Sequence, residues 1–565
     1  MDRREKKIRA VFGVALTLAT IATRWPIRSR TFFEFDSINF AVAIFRFDLR
    51  EVTPQMPGYI LHVLFGRFIS SFGIGVNQAY IILSVLLSVC AVLFLWRAAA
   101  ALRGERVAVI AALLWLTTPL FWFHGVVNAI YAEEAFYASV LLYLGLKWLR
   151  NDRPSWEVVV YFIAFSLAVG ARQTSLLFFL PATIFLIWKR RPSKKIFGLA
   201  MVCFVVITGT WVSELLREAG GLTTYLALAK SESNFRTQSI LFGNSWHSQF
   251  DMMGKVLFYF VLALGSSWLM VITIDVAYAR RSIIFIRQHI RNPKALFVFL
   301  IALVPFLFYL LVFFMKAAYL LNVAPSAILV RAVLVDQFAI WLAEHEKRQS
   351  SDPLKLTRPI ITRNVSIITS ILVILNILWF LVPWPGSEQS RYNNEDTRNS
   401  FIHGALYRAG HSRDRWLTIA NRALEYTNVS GITAVDSLNN MTLRTLEANN
   451  ANNPDQAIIA TWWSRWTYLL LPRALTYDVE VDYKRPGAIA VGCAQEFHRM
   501  NIYDSVIRIS SKRPVLLLMR QDRPDFKQVS QQVHLERLPM PEYLDIYRIL
   551  DSSFVLKWGD RTFVK

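Results

Sequence analysis

Long apolar runs, separated by short basic clusters, leave this chain few ways to fold. Runs of about 20 residues, such as 77–96 and 295–314, match the length that a helix needs to cross a hydrocarbon core of roughly 30 Å. Hydrophobic residues make up 54% of the 565 residues, a large share for a soluble protein of this size. The sequence therefore predicts a mainly α-helical, polytopic bundle of transmembrane helices.

The basic clusters predict how these helices are oriented. Lys and Arg are enriched in cytoplasmic loops, and the densest cluster here lies at residues 189–195. Placing every dense cluster on the cytoplasmic side gives about eleven spans, with the N-terminus inside. The predicted spans are 8–23, 77–96, 107–123, 131–148, 156–170, 175–188, 196–212, 256–278, 295–314, 317–342 and 365–382.

Charge and cysteine content exclude other classes of protein. The net charge of +22 does not indicate nucleic-acid binding, because the basic residues lie in short clusters between the predicted spans. Three cysteines exclude a disulfide framework and have no metal-ligand spacing. No cleavable signal peptide is evident, since the basic start runs directly into the first apolar helix. We expect a multi-pass protein of the bacterial inner membrane, or of the endoplasmic reticulum in a eukaryote.

Residues 24–67, which include the first predicted outer loop, are unusual for a connection between two spans. They contain Glu34, Asp36, Asp48 and Glu51, interleaved with arginines. A carboxylate held beside arginines at a bilayer surface indicates chemistry on a phosphorylated substrate. The arginines would bind the phosphate and the carboxylate would act as a base.

The same segment contains apolar runs that are too short to cross the membrane. The run 59–72 is broken by His62 and Arg67, and its length is more typical of an interfacial helix. If it crossed, every later basic cluster would fall on the outer side. We therefore predict amphipathic helices that lie on the outer surface.

Several cations depart from the predicted charge distribution, because they lie on the outer side. They are Arg28, Arg30, Arg46 and Arg50 in the first loop, Arg172 at an outer turn, and Lys316 at another. Charges at such depths are costly and usually have a partner. Contact with lipid headgroups would explain any one of them, whereas the whole set, on the same side as Asp36, favours a shared anionic site.

The character of the sequence changes after the last predicted span. Residues 1–383 form the predicted membrane domain, 384–400 a polar linker, and 401–565 a soluble extracytoplasmic α/β domain. In the last region β-rich runs at 456–461 and 514–519 alternate with helical patterns such as 415–426. It has no Gly-rich phosphate loop, nucleophile elbow or metal spacing, so we interpret it as a scaffold or an acceptor-recognition module.

Short motifs in the first 382 residues resemble the GT-C glycosyltransferases, closest to the protein O-mannosyltransferase-like group. The first loop of that group reads roughly Asp-Ser, His-Pro-Pro-Gly-Tyr-Pro-Leu and Leu-Gly-Arg. The matching residues here are Phe35-Asp36-Ser37, Gln55-Met56-Pro57-Gly58-Tyr59-Ile60-Leu61, Leu64-Phe65-Gly66-Arg67, Pro119-Leu120-Phe121-Trp122, Gly220-Gly221 with Tyr225, and Lys316-Ala317-Ala318-Tyr319 with Pro325. Gln55 and Met56 depart from the pattern, since they stand where the group usually has His and Pro.

The resemblance implies an inverting transfer of a sugar from a polyprenyl-phosphate donor to a hydroxyl acceptor. The sugar would be mannose or another hexose or pentose, and the acceptor a protein, a lipid or a polysaccharide. By resemblance Asp36 is the general base, while Arg50, Arg172 and Lys316 are candidates to bind the donor phosphate. No cofactor is predicted, although a divalent metal remains compatible with the sequence. Further candidate substrate-binding residues are Glu34, Gln55, Glu133, Glu134, His247 and Tyr319.

Two other classes of function fit parts of the pattern. A transporter or flippase of lipid-linked sugars also needs spans, outer arginines and a lipid groove, but it does not need a base. Such proteins often contain related halves with broken helices, and the sequence has no such internal repeat. An inactive scaffold or receptor is the third option. Both rivals would tolerate Asp36→Asn.

The predicted topology can be tested by cysteine labelling. In a background without the native cysteines, a membrane-impermeant reagent should label Ser245→Cys and Ser400→Cys from the outside. It should label Arg191→Cys only after permeabilisation, because basic loops face the cytoplasm. Labelling of Ser400→Cys only from the inside would contradict the orientation.

Overall fold

The computed structural model is mainly helical. It describes residues 3–49, 53–150, 156–236, 239–269, 292–314, 316–349, 357–382, 427–449, 455–460, 475–478, 506–519, 526–538, 545–558 and 561–565. The helices up to residue 382 are α1 (Arg3–Arg24), α2 (Phe35–Phe45), α3 (Ile60–Ser70), α4 (Val76–Arg103), α5 (Glu105–Thr117), α6 (Pro119–His124), α7 (Tyr131–Arg150), α8 (Trp156–Ala171), α9 (Ser175–Arg190), α10 (Lys194–Glu218), α11 (Leu222–Arg236), α12 (Trp246–Ala263), α13 (Pro293–Leu311), α14 (Ala324–Gln349) and α15 (Thr357–Leu381). Short 3-10 turns lie at Ile240–Phe242, Gly265–Trp268 and Ala317–Asn322.

Helix α7 lies at the centre of the bundle. It packs against α4 and α8, and its residues are buried along most of its length. A helix that is apolar around most of its circumference is typical of such an interior position. At Gly145 of α7, an added Cβ would lie 2.1 Å from Phe297 Cζ of α13, so the glycine allows these two helices to approach closely.

Five of the described helices are long and apolar enough to cross a membrane. They are Val76–Arg103, Lys194–Glu218, Pro293–Leu311, Ala324–His345 and Pro359–Leu381. The prediction of a helical membrane protein agrees with this finding. The count of eleven spans stays a prediction.

Two parts of the membrane region differ from the predicted helices. The predicted span 107–123 is divided between α5 and α6, because Thr118, which precedes Pro119, has an extended ψ of 120°. A proline disfavours the helical conformation at the residue before it. The predicted span 317–342 is also divided, since Ala317–Asn322 form a 3-10 turn and α14 begins at Ala324.

Other predicted elements agree with the structure or lie outside it. The run 59–72 forms the short helix α3, and the predicted span 256–278 starts inside α12, while residues 270–291 are outside the described residues. The linker 384–400 and the helical pattern 415–426 also lie outside them. The boundaries of the two domains therefore stay a prediction.

The C-terminal region combines helices and strands, as its alternating pattern predicts. Its described elements are α16 (Val429–Ala448), α17 (Phe526–Ser530), β1 (Ala457–Ala460), β2 (Leu475–Asp478), β3 (Val506–Arg508), β4 (Val515–Met519), β5 (Leu535–Arg537), β6 (Asp545–Ile549), β7 (Val555–Trp558) and β8 (Arg561–Val564). One sheet has the order β2-β1-β4-β6-β5 and the other β3-β8-β7. The predicted β runs form β1 and β4, which pair in parallel with Ala457 opposite Val515. Both strands are buried along their whole length, as is typical of parallel strands covered on both faces.

Candidate functional site

The short helix α2 carries Asp36 in its first turn, and contacts along its length hold it in place. At its start, Ser37 Oγ donates to Asn128 O (2.5 Å), and Asn128 Nδ2 donates to Ser37 O (3.2 Å). In its middle, Tyr80 OH donates to Phe40 O (3.1 Å). These contacts fix the direction in which the first turn of α2 faces.

The C-terminal end of α2 is capped by Arg67 of α3. Its Nε donates to Ile44 O (2.8 Å) and its Nη2 to Ala43 O (3.0 Å). The last carbonyls of a helix have no partner within the helix and carry partial negative charge, so an arginine is a favourable cap. The motif residue Arg67 thus supports the helix on which Asp36 lies.

Lys316 joins the two carboxylates at the start of α2. Its Nζ donates to Glu34 Oε2 (2.9 Å) and to Asp36 Oδ2. The Asp36 side chain retains 22% of its exposure, whereas that of Glu34 retains 9%. Lys316 thus contacts Asp36 from 280 positions along the chain, and the more accessible of the two carboxylates is Asp36.

A second ion pair, between Arg172 and Glu134, lies deeper than the first. Arg172 Nη1 donates to Glu134 Oε1 at 2.5 Å, and both side chains are almost fully buried. Burial disfavours the charged guanidinium, but the charge of Glu134 and the neighbouring tyrosines together favour it more, so the pKa of Arg172 is raised above its usual value. Arg172 therefore stays cationic at any physiological pH.

Tyrosines connect the two ion pairs. Arg172 Cζ lies 4.4 Å from the centroid of the Tyr319 ring, and Lys316 Nζ lies 6.0 Å from that of Tyr131. The rings of Tyr131 and Tyr319 are themselves 6.0 Å apart. Since aromatic faces attract cations, this arrangement brings both cations to one aromatic-lined region. We call the region formed by Glu34, Asp36, Glu134, Arg172, Lys316 and Tyr319 the carboxylate–cation cluster.

Glu133 has a different partner from its neighbour Glu134. Its Oε2 lies 2.9 Å from His62 Nδ1, and both side chains are only 1% exposed. The His62 ring stacks on Tyr80 at a centroid distance of 4.7 Å. This pair ties α3 to the start of α7, and we interpret it as a support for the cluster.

Besides Glu133, three of the predicted site residues are not seen in the cluster. His247 has an 84% exposed side chain, and its ion-pair contact is with Asp251 at 3.6 Å. Gln55 is buried, and its backbone carbonyl oxygen accepts a hydrogen bond from the backbone N–H of Gly58 at 3.0 Å. Arg50 lies outside the described residues. Among the cations of the predicted anionic site, Arg172 and Lys316 lie against the neighbouring rings of Tyr319 and Tyr131.

Sequence reasoning missed two residues that complete the cluster. Asn322 Nδ2 donates to Tyr309 OH (2.6 Å) and lies 3.4 Å from Glu134 Oε2. A single amide inside an otherwise apolar run is a signal for such a role, because polar groups within membrane segments usually have a partner. Tyr309 carries no such signal, since tyrosines are frequent in apolar helices.

The described residues contain no group of three or more His, Cys, Asp or Glu side chains that could hold a metal ion. The carboxylate–cation cluster itself contains both carboxylates and cations. It combines the partly exposed carboxylate of Asp36, the ammonium group of Lys316 and the buried guanidinium of Arg172. This combination suits the binding of a phosphate and the removal of a proton close to it.

Comparison with known families confirms the resemblance drawn from the sequence. Residues 54–213 match the model of the family described as dolichyl-phosphate-mannose-protein mannosyltransferase. This stretch contains Glu133, Glu134 and Arg172, but not Asp36 or Lys316. No curated protein sequence matches the chain significantly.

Solved structures show the same fold. ArnT from Cupriavidus metallidurans in the apo state aligns with a TM-score of 0.55 and 13% identity, over 96% of this chain and 98% of that one. ArnT bound to undecaprenyl phosphate aligns equally well, with a TM-score of 0.55, 13% identity and coverage of 95% and 97%. The Archaeoglobus fulgidus oligosaccharyltransferase AglB, in complex with an inhibitory peptide and a dolichol-phosphate, has a TM-score of 0.46 and 12% identity over 97% of this chain and 74% of that one, too low a TM-score to support an inference. The chain thus has the fold of ArnT.

The buried pair of Arg172 and Glu134 should be strongly coupled in stability. Glu134→Gln or Arg172→Gln alone leaves a buried charge without its counter-charge, which should cost about 3–5 kcal/mol. The double variant should lose much less than the sum, as measured from unfolding of the purified protein in detergent. Glu214→Gln is the control, because Glu214 pairs with Arg217, whose side chain is 70% exposed, and such a pair contributes about 1 kcal/mol or less. Additive losses at Arg172 and Glu134 would contradict the coupling.

Proposed function

Because the chain has the GT-C glycosyltransferase fold, we propose that it transfers a sugar from a polyprenyl-phosphate donor to a hydroxyl acceptor. The observation that carries the proposal is the contact of Lys316 with both Glu34 and Asp36, beside the buried Arg172. A binding surface for lipid headgroups needs cations, but it does not need a fixed, partly exposed carboxylate between them.

Asp36 is the group that we assign to the proton transfer. As the acceptor oxygen forms its bond to the anomeric carbon, its O–H bond weakens and the proton passes to Asp36. The bond from that carbon to the phosphate oxygen breaks, and its electron pair leaves with the phosphate. Attack opposite the leaving group inverts the configuration of the sugar. Glu34, which is less exposed, holds Lys316 rather than taking part in this step.

Lys316 and Arg172 are the cations that we assign to the leaving phosphate. An ammonium group has three donors, so Lys316 can hold a carboxylate and a phosphate oxygen together. Within the described part of the chain, Arg172 Nε is buried and has no hydrogen-bond partner. A phosphate oxygen would satisfy this donor, and the growing negative charge would strengthen the contact in the transition state. Arg50 remains a third candidate from the sequence.

The donor class and the side of the membrane are part of the same proposal. The donor is supported by the ArnT structure that contains undecaprenyl phosphate, since its fold aligns over nearly the whole of both chains. The dense Lys and Arg clusters, such as 189–195, lie in loops predicted to be on the opposite side from Asp36, and this supports transfer on the extracytoplasmic face. The sugar is mannose or another hexose or pentose, and the acceptor a hydroxyl of a protein, lipid or polysaccharide.

Asp36→Asn should abolish transfer while donor binding is retained. The substitution preserves the shape of the side chain but removes its basic oxygen, so we expect kcat to fall at least about a hundredfold. Turnover of a short-chain polyprenyl-phosphate sugar by the purified variant measures this loss. Asp251→Asn on α12 is the matched control and should keep the wild-type rate. Wild-type turnover by Asp36→Asn would refute the assigned base, and transport without transfer would favour the flippase.

Lys316→Ala should lower kcat/KM for the same donor by about thirty- to a hundredfold. This range corresponds to the loss of one charge-assisted contact in a partly dry site, about 2–3 kcal/mol. Arg172→Lys should keep only part of the activity, because it restores the charge without the planar geometry of arginine. Arg217→Ala, at an exposed position, is the control. Near-wild-type kcat/KM in both variants would return the two cations to a structural role.

A further inference from the structure

Helix α16 of the C-terminal region contacts the segment that leads into Asp36. We call residues 29–32 the lead-in segment. The carboxylate of Asp436 accepts four hydrogen bonds from the first three of these residues. Its Oδ1 accepts from Ser29 Oγ (2.9 Å), Thr31 N (2.8 Å) and Thr31 Oγ1 (2.7 Å), and its Oδ2 accepts from Arg30 N (2.6 Å). Two of these donors are backbone N–H groups, so the contact fixes the main chain itself.

Asn439 adds a second contact from the same face of α16. Residues three apart on a helix lie side by side. Asn439 Nδ2 donates to Thr31 Oγ1 (2.8 Å) and to Phe32 O (3.0 Å), and its side chain is buried. The lead-in segment, residues 29–32, has no regular secondary structure of its own, so its shape depends on such outside partners.

Helix α16 is in turn fixed to the membrane bundle. Asn428, immediately before its first residue, donates through Nδ2 to Trp379 O (2.6 Å) and Val382 O (2.8 Å) at the end of α15. Trp379 Nε1 donates to Thr427 Oγ1 (3.1 Å). On the opposite side, Ser29 N donates to Val126 O (2.9 Å). The lead-in segment is therefore held between a braced helix and the loop before α7.

We infer that Asp436 is a positioning residue for the proposed transfer, acting through the lead-in segment on Glu34 and Asp36. Thr31 is only three residues before Glu34 and five before Asp36, so a displaced segment would move both carboxylates relative to Lys316. Through helix α16, the C-terminal region thereby helps to position the carboxylates of the site. This inference rests on the proposed role of Asp36.

The chemistry of the contact requires a carboxylate. Ionised Asp has acceptors only, and Asp436 meets donors only. In Asp436→Asn, the amide NH₂ would face an N–H or O–H donor at one of these positions, which leaves a donor unsatisfied and pushes the segment away. A displacement of about 1 Å at reacting groups can cost on the order of a hundredfold in rate.

The kinetic test compares Asp436→Asn with Glu447→Gln, which removes an exposed carboxylate from the same helix. We expect kcat of Asp436→Asn to fall about ten- to a hundredfold with a smaller change in the KM for the donor, because Arg172 and its partner Glu134 lie outside the displaced segment. Glu447→Gln should match the wild type. An unchanged kcat, or a loss carried by the donor KM alone, would overturn the inference.

A second measurement does not depend on the proposed reaction. Hydrogen–deuterium exchange of the peptide covering residues 29–37 should become faster in Asp436→Asn and stay unchanged in Glu447→Gln. Unchanged exchange would refute the contact itself. If exchange becomes faster in Asp436→Asn but Asp36→Asn keeps the wild-type turnover, the contact of Asp436 is supported and the role of Asp36 as the base is rejected. The two proposals can therefore fail separately.

A covalent substitute separates positioning from general destabilisation. Thr31→Cys and Asn439→Cys, in a chain without Cys90, Cys203 and Cys493, place two thiols at positions whose native side chains are hydrogen-bonded, and oxidation can link them. Combined with Asp436→Asn, oxidation should restore kcat and reduction should lower it again. A disulfide that forms without restoring kcat would overturn the positioning role.

Discussion

The placement of charge inside an apolar bundle is the constraint on which the candidate site depends. An isolated charge in such surroundings is expensive, so each buried ionic group needs a partner nearby. Lys316 meets Glu34 and Asp36, Arg172 meets Glu134, and His62 meets Glu133. These pairings draw together α2, α3, α7, the turn after α8 and the turn after α13. The site and the packing of this end of the bundle are therefore one structure.

The start of α7 shows how a local rule distributes these partners. Glu133 and Glu134 are neighbours in sequence, yet they point about 100° apart around the helix axis. One consequently reaches His62 on α3, and the other reaches Arg172 after α8. Their position in the first turn also suits acidic residues, because the unpaired N–H groups there carry partial positive charge. The two adjacent carboxylates thus connect α7 to α3 and to the turn after α8, and each has its own partner.

The sequence alone was sufficient for the features that depend on local patterns. Apolar length and basic clusters predicted the helical bundle, and the motif around Asp36 predicted a carboxylate next to cations. Pro119 is a signal for the break at Thr118, but the mainly apolar run 107–123 was interpreted as a single span. The pairing of Arg172 with Glu134 was not readable from one sequence, because it joins residues 38 positions apart through the packing of two helices. Asp436 carried no signal at all, since nothing in its neighbourhood distinguishes it from an ordinary surface carboxylate.

The contact of Ser29 with Asp436 spans 407 positions of the chain. During synthesis, the first helices emerge and insert long before residue 436 has been translated. Until then the segment before Asp36 lacks one of its two supports, although Val126, which provides the other, has already been made. A ribosome-bound or truncated chain would therefore contain most of the cluster without its final alignment. The segment before Asp36 therefore has both of its supports only after residue 439 has been made.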